Sequence, residues 1–288
     1  MKMMGYAALN VASHEMKIGP KTLKKLARKH KLPLLSASIV DKAEKPVFQQ
    51  TFVKQVGPLR MCFFGLISDT PDEYGPLFHE KGFEVLKPVI AAKRAMKQLA
   101  SKRCDLVGIL SHLRRDQVDL VTEKVKGIDL VLGSSNQGLS SSLERVGPAY
   151  FGDCFNKGKY IGELLISPGE DKTRFAVANL KATLVNERLS LSRRVRDTAS
   201  QLEEAKKPDG AVKLTPESTQ ILQSQLAGLR AKLQRVTMEL EGEKDGPGKA
   251  SLMSLSMHPL ASDTEDDKRV LKVVERYKKK WKVKGPGH

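Results

Sequence analysis

Two stretches of the sequence place apolar residues three or four positions apart, and this spacing constrains the fold more than any other feature. The first stretch covers residues 184–205, and the second covers residues 222–240. In the second stretch the series is Leu222, Leu226, Leu229, Leu233, Val236 and Leu240. An apolar period of 3.5 residues is typical of helices that pack along one stripe. Because a Pro-Asp-Gly breaker at residues 208–210 separates the stretches, the sequence predicts an antiparallel, coiled-coil helical hairpin over residues 187–245.

Residues 1–186 have a different pattern, in which apolar runs alternate with amphipathic segments. Continuous apolar runs at residues 104–111 and 128–134 predict buried strands. Amphipathic spacing at residues 87–103 and 114–126 predicts the helices that connect them. This alternation is typical of a layered α/β domain, which we therefore predict for this part of the chain.

The last segment, residues 246–288, is predicted to be a linker followed by a basic helix. The helix is expected to begin near Thr264, with Asp263 or Thr264 as its N-cap. One of its faces carries Val270, Val274, Tyr277 and Trp281, which we expect to pack on the domain. Residues 268–284 contain nine Lys or Arg and one Glu, within a chain of net charge +17. Such a tail could bind nucleic acid weakly and without sequence preference, although a solvated charged face is the simpler interpretation.

The cysteines and the hydropathy argue against a secreted or membrane-spanning class. Cys62, Cys104 and Cys154 are odd in number, widely spaced and never in a CxxC pair. We therefore expect small buried core residues, not a disulfide framework or a zinc site. The sequence has no apolar run near the ~20 residues that span a bilayer, and its beginning does not read as a signal peptide. The chain as written is expected to be cytoplasmic.

A polar corner follows the apolar run at residues 6–11. It holds Ser13, His14 and Glu15 within the stretch ASHEMKIG. Reactive groups of α/β folds commonly stand at the carboxyl end of a strand. A histidine that ends a strand is nevertheless more often a structural, hydrogen-bonded residue than a catalyst. Both interpretations stay open on the residues alone.

The corner ASHEMKIG resembles the Asn-His-Glu corner of the calcineurin-like metallophosphoesterases, in particular their 5′-nucleotidase branch. The resemblance continues in order through LPLLSASIVDKAEKPVF, LRMCFFGLIS, DLVGILSHL and GIDLVLGSSNQG, and it covers residues 12–138. It implies a partial metallophosphoesterase-type α/β sandwich with the helical hairpin appended. The family's first strands, with its Asp-x-His and Gly-Asp motifs, are expected to be missing upstream.

The resemblance also assigns candidate site residues. In the family a pair of divalent metals (Mn, Zn, Co or Mg) clamps the phosphate while a metal-bound hydroxide attacks it. By position, His14 matches the catalytic histidine and His112 matches a metal ligand. Three further ligand positions are replaced, with Ser13 in place of the bridging asparagine and with Ser134 and Asn136 in place of two histidines. A site with one matched ligand is expected to bind no metal pair.

These observations lead to a function and a rival. By resemblance the chain descends from phosphoric-ester hydrolases that act on nucleotides or other phosphoesters, and relatives are often exported to the periplasm. As written, it is expected to be a degenerate or fragmentary member without activity or cofactor. The alternative is a non-catalytic interaction protein, whose hairpin binds a protein partner and whose basic tail contacts nucleic acid.

Overall fold

The computed structural model divides the chain into two compact units. Met1–Pro168 and Ser254–His288 form the first unit, and Gly169–Met253 forms the second. The structure describes residues 2–70, 82–134, 140, 142–154, 158–178, 180–206, 215–242, 248–260 and 264–281. The sequence predicts domains that fold independently, with boundaries near residues 186 and 245. These boundaries stay a prediction.

The first unit begins with two short strand pairs. Strand β1 (Leu9–Asn10) pairs in parallel with β2 (Leu34–Leu35). Strand β3 (Ile39–Asp41) pairs antiparallel with β6 (Phe83–Val85). The apolar character of these strands buries β2 and most of β3.

Two helices separate β1 from β2. Helix α1 (Ser13–Met16) is a single turn, and the Glu15 carboxylate accepts a hydrogen bond from the backbone N–H of Ala12 at 2.9 Å. Helix α2 (Pro20–His30) begins at a proline, whose fixed φ suits the first helical position. It ends where Lys31 adopts a left-handed conformation with φ 51°.

The main sheet of the first unit has six strands. They are β4 (Thr51–Val56), β5 (Leu59–Ile67), β7 (Leu106–His112), β8 (Leu130–Gly133), β9 (Glu144–Val146) and β10 (Ala149–Asp153). Their order is β4-β5-β7-β8-β10-β9. Strands β5, β7, β8 and β10 are parallel, and the two edge strands are antiparallel to their neighbours. The α/β class and the buried strands predicted at residues 104–111 and 128–134 are confirmed.

Helices α3 (Pro88–Leu99) and α4 (Arg115–Lys124) connect the parallel strands, as their amphipathic spacing predicts. The core of this layer is made of small helix residues and large strand residues. It includes Ala91, Ala92, Ala95, Val118, Val121, Phe64, Leu66 and Ile109, all at most 1% exposed. Each large apolar side chain buried there stabilises the fold by about 1.5–3 kcal/mol, and the alanines let α3 approach the sheet closely.

The strand register brings four chain segments to one edge of the sheet. Ile67 of β5 is paired with His112 of β7. Ser111 of β7 is paired with Gly133 of β8, which is in turn paired with Asp153 of β10. Because these strands are parallel, their carboxyl ends meet at this edge, where α/β folds commonly place their sites.

The expectation that all three cysteines are unpaired is wrong. Cys62 and Cys104 form a disulfide bond, and their Cα atoms are 5.8 Å apart. Cys62 is paired with Val107 across β5 and β7, and Cys104 lies three residues before that partner. The strand register therefore joins two cysteines that are 42 residues apart in sequence. Cys154 is free.

Residues 250–259, which the sequence places in a linker, form strand β13 (Ala250–Pro259). Strand β11 (Tyr160–Ser167) lies beside it in sheet order. In the first unit the backbone N–H of Leu260 donates to the carbonyl of Lys159 at 2.7 Å. Its buried residues include Ser251, Met253 and Leu255, which are two positions apart, and this is the period of a strand with one buried face.

The second unit consists of a strand pair and two long helices. Strand β12 (Asp171–Val177) pairs in parallel with Ala250–Met253. The helices are α5 (Leu180–Lys206) and α6 (Pro216–Gly242). All six apolar positions of the series in α6 are buried or half-buried, as are the corresponding positions of α5. Lys232 in the second half of α6 contacts Glu187 in the first half of α5 at 3.0 Å, as expected for an antiparallel pair of helices.

Helix α7 (Lys268–Trp281) differs from the expected tail helix at its beginning. Asp267, and not Asp263 or Thr264, is the residue before its first turn. One Asp267 carboxylate oxygen accepts hydrogen bonds from the backbone N–H groups of Arg269 at 2.8 Å and Val270 at 3.3 Å. Hydrogen bonds from Arg269 hold the pKa of this carboxyl well below its usual range. Asp263 lies outside the described residues.

The middle of the apolar stripe of α7 is exposed, which contradicts the sequence expectation for Val274 and Tyr277, whereas the side chain of Trp281 lies outside the described part of the structure. Val273 is 51% exposed, Val274 is 40% exposed and Tyr277 is 59% exposed. Val270 is half-buried. Among the helices in the described ranges, none combines the length and apolar character needed to cross a bilayer.

Candidate functional site

The candidate site lies at the carboxyl edge of the main sheet and is centred on His112. His112 ends β7, and Ser134 follows β8, the next strand of the sheet. The Ser134 hydroxyl is 3.5 Å from His112 Nδ1, at the limit of a hydrogen bond. The same hydroxyl donates to the carbonyl of Ser111 at 3.2 Å. The structure therefore brings together two of the residues that the sequence selects, and places a hydroxyl beside the imidazole.

Ser13 and His14 follow β1, and the side chain of Asn10 ties that strand to the main sheet. Its amide nitrogen donates to the carbonyl of Leu66 in β5 at 2.9 Å. Gly65 makes this approach possible, because a Cβ at residue 65 would overlap the Asn10 amide oxygen. His14 is exposed on the first turn after this tie. Asn136, the remaining candidate, lies outside the described residues.

A polar network that the sequence analysis missed lies beside His112. The Ser68 backbone N–H donates to the carbonyl of His112 at 3.0 Å. The Ser68 hydroxyl is 2.6 Å from the Thr70 hydroxyl, which accepts a hydrogen bond from Arg114 at 2.8 Å. Arg114 also contacts the Asp116 carboxylate at 2.8 Å and lowers the pKa of that group. The network joins the carboxyl end of β5 to the start of α4.

Two further polar groups lie at this edge. The Gln117 amide donates to the Asp69 carboxylate at 2.8 Å. Asp153 is 2% exposed at the end of β10, and its backbone N–H donates to the Ser140 hydroxyl oxygen at 2.8 Å. A Cβ added at Gly133 would lie 3.1 Å from an Asp153 carboxylate oxygen, so this carboxylate lies beside the strand that leads to Ser134.

A signal for these missed residues is present in the sequence. Ser68, Asp69 and Thr70 follow directly after the apolar run of β5, and Asp153 ends the apolar run of β10. Polar residues at the carboxyl ends of parallel strands are expected to meet at one edge. The family motifs select His14, His112 and Ser134 instead.

The described donor groups of this edge do not fit a divalent metal pair. Within the described ranges there is no group of three or more His, Cys, Asp or Glu placed to hold a metal ion. Two carboxylates of this region have other partners, since Asp69 accepts a hydrogen bond from Gln117 and Asp116 accepts one from Arg114. The group in contact with His112 Nδ1 is the neutral hydroxyl of Ser134, and a hydroxyl is a weaker metal ligand than an imidazole.

Among the described carboxylates, the one with the most strongly raised pKa lies at the opposite edge of the sheet. Burial raises the pKa of Asp129, just before β8, to about 6. Its carboxylate accepts a hydrogen bond from the backbone N–H of Val107 at 2.8 Å, which partly offsets the effect of burial. Because it bonds the backbone of a neighbouring strand at the amino edge, Asp129 has a structural role and is not part of the candidate site.

Comparison with known proteins gives matches in structure only. No protein-family model matches the chain, and neither does any curated protein. A sulfate thiohydrolase of Thermus thermophilus, solved with glycerol, is 20% identical with a TM-score of 0.49 over 57% of this chain and 30% of that chain. A 5′-nucleotidase precursor of the same organism is 23% identical with a TM-score of 0.49, over 60% and 38% of the two chains.

A third similar structure is a calcineurin-like phosphoesterase of Bacillus subtilis. It is 15% identical with a TM-score of 0.48, over 57% of this chain and 58% of that chain. This chain spans less than two thirds of the length of each of the three proteins.

Proposed function

We propose that the first unit is a metallophosphoesterase-type domain of the 5′-nucleotidase branch that no longer hydrolyses phosphoesters. The five resembling stretches support the family, because the polar residues of several of them fall at strand ends along one edge of a parallel sheet. The same residues support the loss of activity, because the ligand types that the chemistry requires are replaced there.

The observation that carries this proposal is the contact of Ser134 with His112 Nδ1 at 3.5 Å. In a working two-metal site, one metal lowers the pKa of the attacking water and both metals absorb charge that develops on the phosphoryl oxygens. That requires several imidazole and carboxylate ligands that converge on each ion. Here a hydroxyl stands at a position where the resembling family has an imidazole.

An activity measurement tests the proposal. We expect no turnover of 5′-AMP or of p-nitrophenyl phosphate with Mn²⁺, Zn²⁺, Co²⁺ or Mg²⁺ above the rate of a His14→Ala/His112→Ala double variant. The matched control removes two histidines outside the candidate site, His30→Ala/His258→Ala, and should behave like the unmodified chain. Turnover that the first double variant loses and the control retains would contradict the proposal.

Metal binding provides a second test that does not depend on the choice of substrate. With one ligand of the family set in place, calorimetry at micromolar protein should detect no binding of two divalent ions per chain. If two ions bind tightly, the site uses other ligands, and Asp153→Asn and Asp116→Asn are the first variants to compare. Loss of one ion in either variant would identify the ligand that replaces the family's histidines.

A non-catalytic interaction role is the second candidate function. The observation that favours it is the exposed apolar stripe of α7, since apolar side chains on a charged helix are typical of surfaces that bind a partner. The helical pair of α5 and α6 buries its own regular apolar series, so it offers less support for a protein-binding role.

A further inference from the structure

Helix α7 concentrates its apolar residues on one narrow face. At about 100° per residue, the apolar positions other than Leu271 fall within an arc of about 100°. They are Val270, Val273, Val274, Tyr277 and Trp281. Val273, Val274 and Tyr277 are between 40% and 59% exposed, so this face meets solvent in the folded chain.

The remaining circumference of α7 is strongly basic. Apart from Leu271, every other position carries a charge, and Glu275 is the single acid. The basic positions are Lys268, Arg269, Lys272, Arg276, Lys278, Lys279 and Lys280. Arg269 and Lys280 border the apolar arc on one side and Lys278 borders it on the other, so cations flank the exposed apolar face.

We propose that α7 binds the surface of an anionic lipid membrane. In this arrangement the helix lies in the plane of the interface, with the valines and Tyr277 at the boundary of headgroups and acyl chains and the lysines near the lipid phosphates. Anionic lipids attract such basic segments, and the tyrosine suits an interface because its ring is apolar and its hydroxyl is polar. The inference goes beyond the proposed function of the first unit and does not depend on it.

The exposed valines favour a membrane over nucleic acid. The phosphate backbone of nucleic acid attracts cationic side chains, and their binding releases counterions. It provides no apolar environment for a stripe of valines. A lipid interface accommodates both properties of the helix at once. The hydrogen bonds that Asp267 accepts stabilise the first turn of α7 before it meets a membrane. This stabilisation is needed because an isolated helix of 14 residues is marginally stable in water.

The test is co-sedimentation of the full chain with vesicles of phosphatidylcholine alone or with about 30% phosphatidylglycerol. We expect binding to the anionic vesicles and little binding to the neutral ones. Val273→Ser/Val274→Ser should weaken the partition coefficient at least about tenfold, because it removes two apolar side chains that enter the interface. Val56→Ser/Ile90→Ser replaces two comparably exposed apolar residues elsewhere in the first unit and should leave binding unchanged.

A charge variant tests the second half of the proposal. Lys272→Gln/Lys279→Gln removes two cations from the polar face and should weaken binding about ten- to thirtyfold. Lys21→Gln/Lys25→Gln removes the same charge from exposed positions of α2 and should have a much smaller effect. Equal losses in both charge variants would show that net charge, and not α7, drives binding, and would overturn the proposal.

Two other outcomes would also overturn it. One is vesicle binding that the serine double variant leaves unchanged, because the apolar face would then take no part. The other is the absence of vesicle binding, whether or not the chain binds a random DNA duplex in an anisotropy titration at the same salt concentration. Circular dichroism of each variant confirms that the fold is retained, so a loss of binding can be assigned to α7.

Discussion

Helices α5 and α6 share with α7 a regular apolar stripe, yet the two regions end in opposite environments. In α5 and α6, Leu184, Leu191 and Leu226 are at most 9% exposed. In α7, Val273 and Val274 are at least 40% exposed. The spacing of apolar residues therefore identifies the apolar face of a helix, but it does not show whether another part of the chain covers that face.

The reason for the difference lies in what the chain supplies as a partner. The series of α5 is followed by a second series of the same period, and antiparallel packing of α5 and α6 buries both stripes. The sequence has no third series that matches α7. The basic residues of α7 also outnumber its acidic residues. In contrast, Glu187 of α5 and Lys232 of α6 form an ion pair between their helices.

The largest expected effect is on stability when a buried leucine of the helical pair is truncated. Leu191→Ala should lower the free energy of unfolding by about 2–5 kcal/mol, because it leaves a cavity at a residue that is 3% exposed. Val274→Ala in α7 should change it by less than about 0.5 kcal/mol. Urea unfolding followed by circular dichroism at 222 nm measures both. Equal effects would mean that α7 is packed in solution.

A smaller difference is expected from the helix caps. The Thr215 hydroxyl accepts a hydrogen bond from the backbone N–H of Ser218 at 3.2 Å and begins α6. Thr215→Ala should cost about 1 kcal/mol of unfolding free energy, because α6 is part of a packed unit. Asp267→Ala should leave the unfolding midpoint unchanged and reduce only the helical signal of the folded chain.

Ser224→Ala is the control for the cap comparison, since it alters an exposed position in the middle of α6. It should not lower stability, because alanine is the better helix former. A shift of the unfolding midpoint in Asp267→Ala that matches the shift in Thr215→Ala would show that α7 unfolds together with the rest of the chain.

The smallest effect should come from the ion pair between the helices. Glu187 is 30% exposed and Lys232 is 46% exposed, so solvent and salt screen their attraction. Glu187→Gln should cost about 0.2–1 kcal/mol at low salt and less at high salt. Glu170→Gln breaks the more exposed pair with Lys249 and should have no measurable effect. A salt-independent loss in Glu187→Gln would indicate lost packing and not lost charge.

In the candidate site, the sequence predicts some of the residues but not the hydrogen bonds that connect them. The apolar runs were sufficient to place His112 and Ser134 at the ends of two predicted strands, and the sheet order makes those strands neighbours. Ser68 and Thr70 can be selected because they follow the apolar run of β5, but their link to Arg114 cannot, since the two loops become neighbours only when β5 pairs with β7. The hydrogen bond from Asn10 to the Leu66 carbonyl was missed for a similar reason, since the approach of Asn10 to β5 depends on the glycine at residue 65.

The sequence by itself determined the α/β class, the buried strands, the helical pair and the basic, one-sided character of α7, because each follows from local periodicity and composition. Tertiary structure alone decided the disulfide between Cys62 and Cys104, since the register of β5 and β7 joins residues that spacing along the chain cannot relate. It also decided that residues 250–259 are a strand and that the valines of α7 stay exposed. Burial depends on the surface available to cover a side chain, and that surface comes from distant parts of the chain.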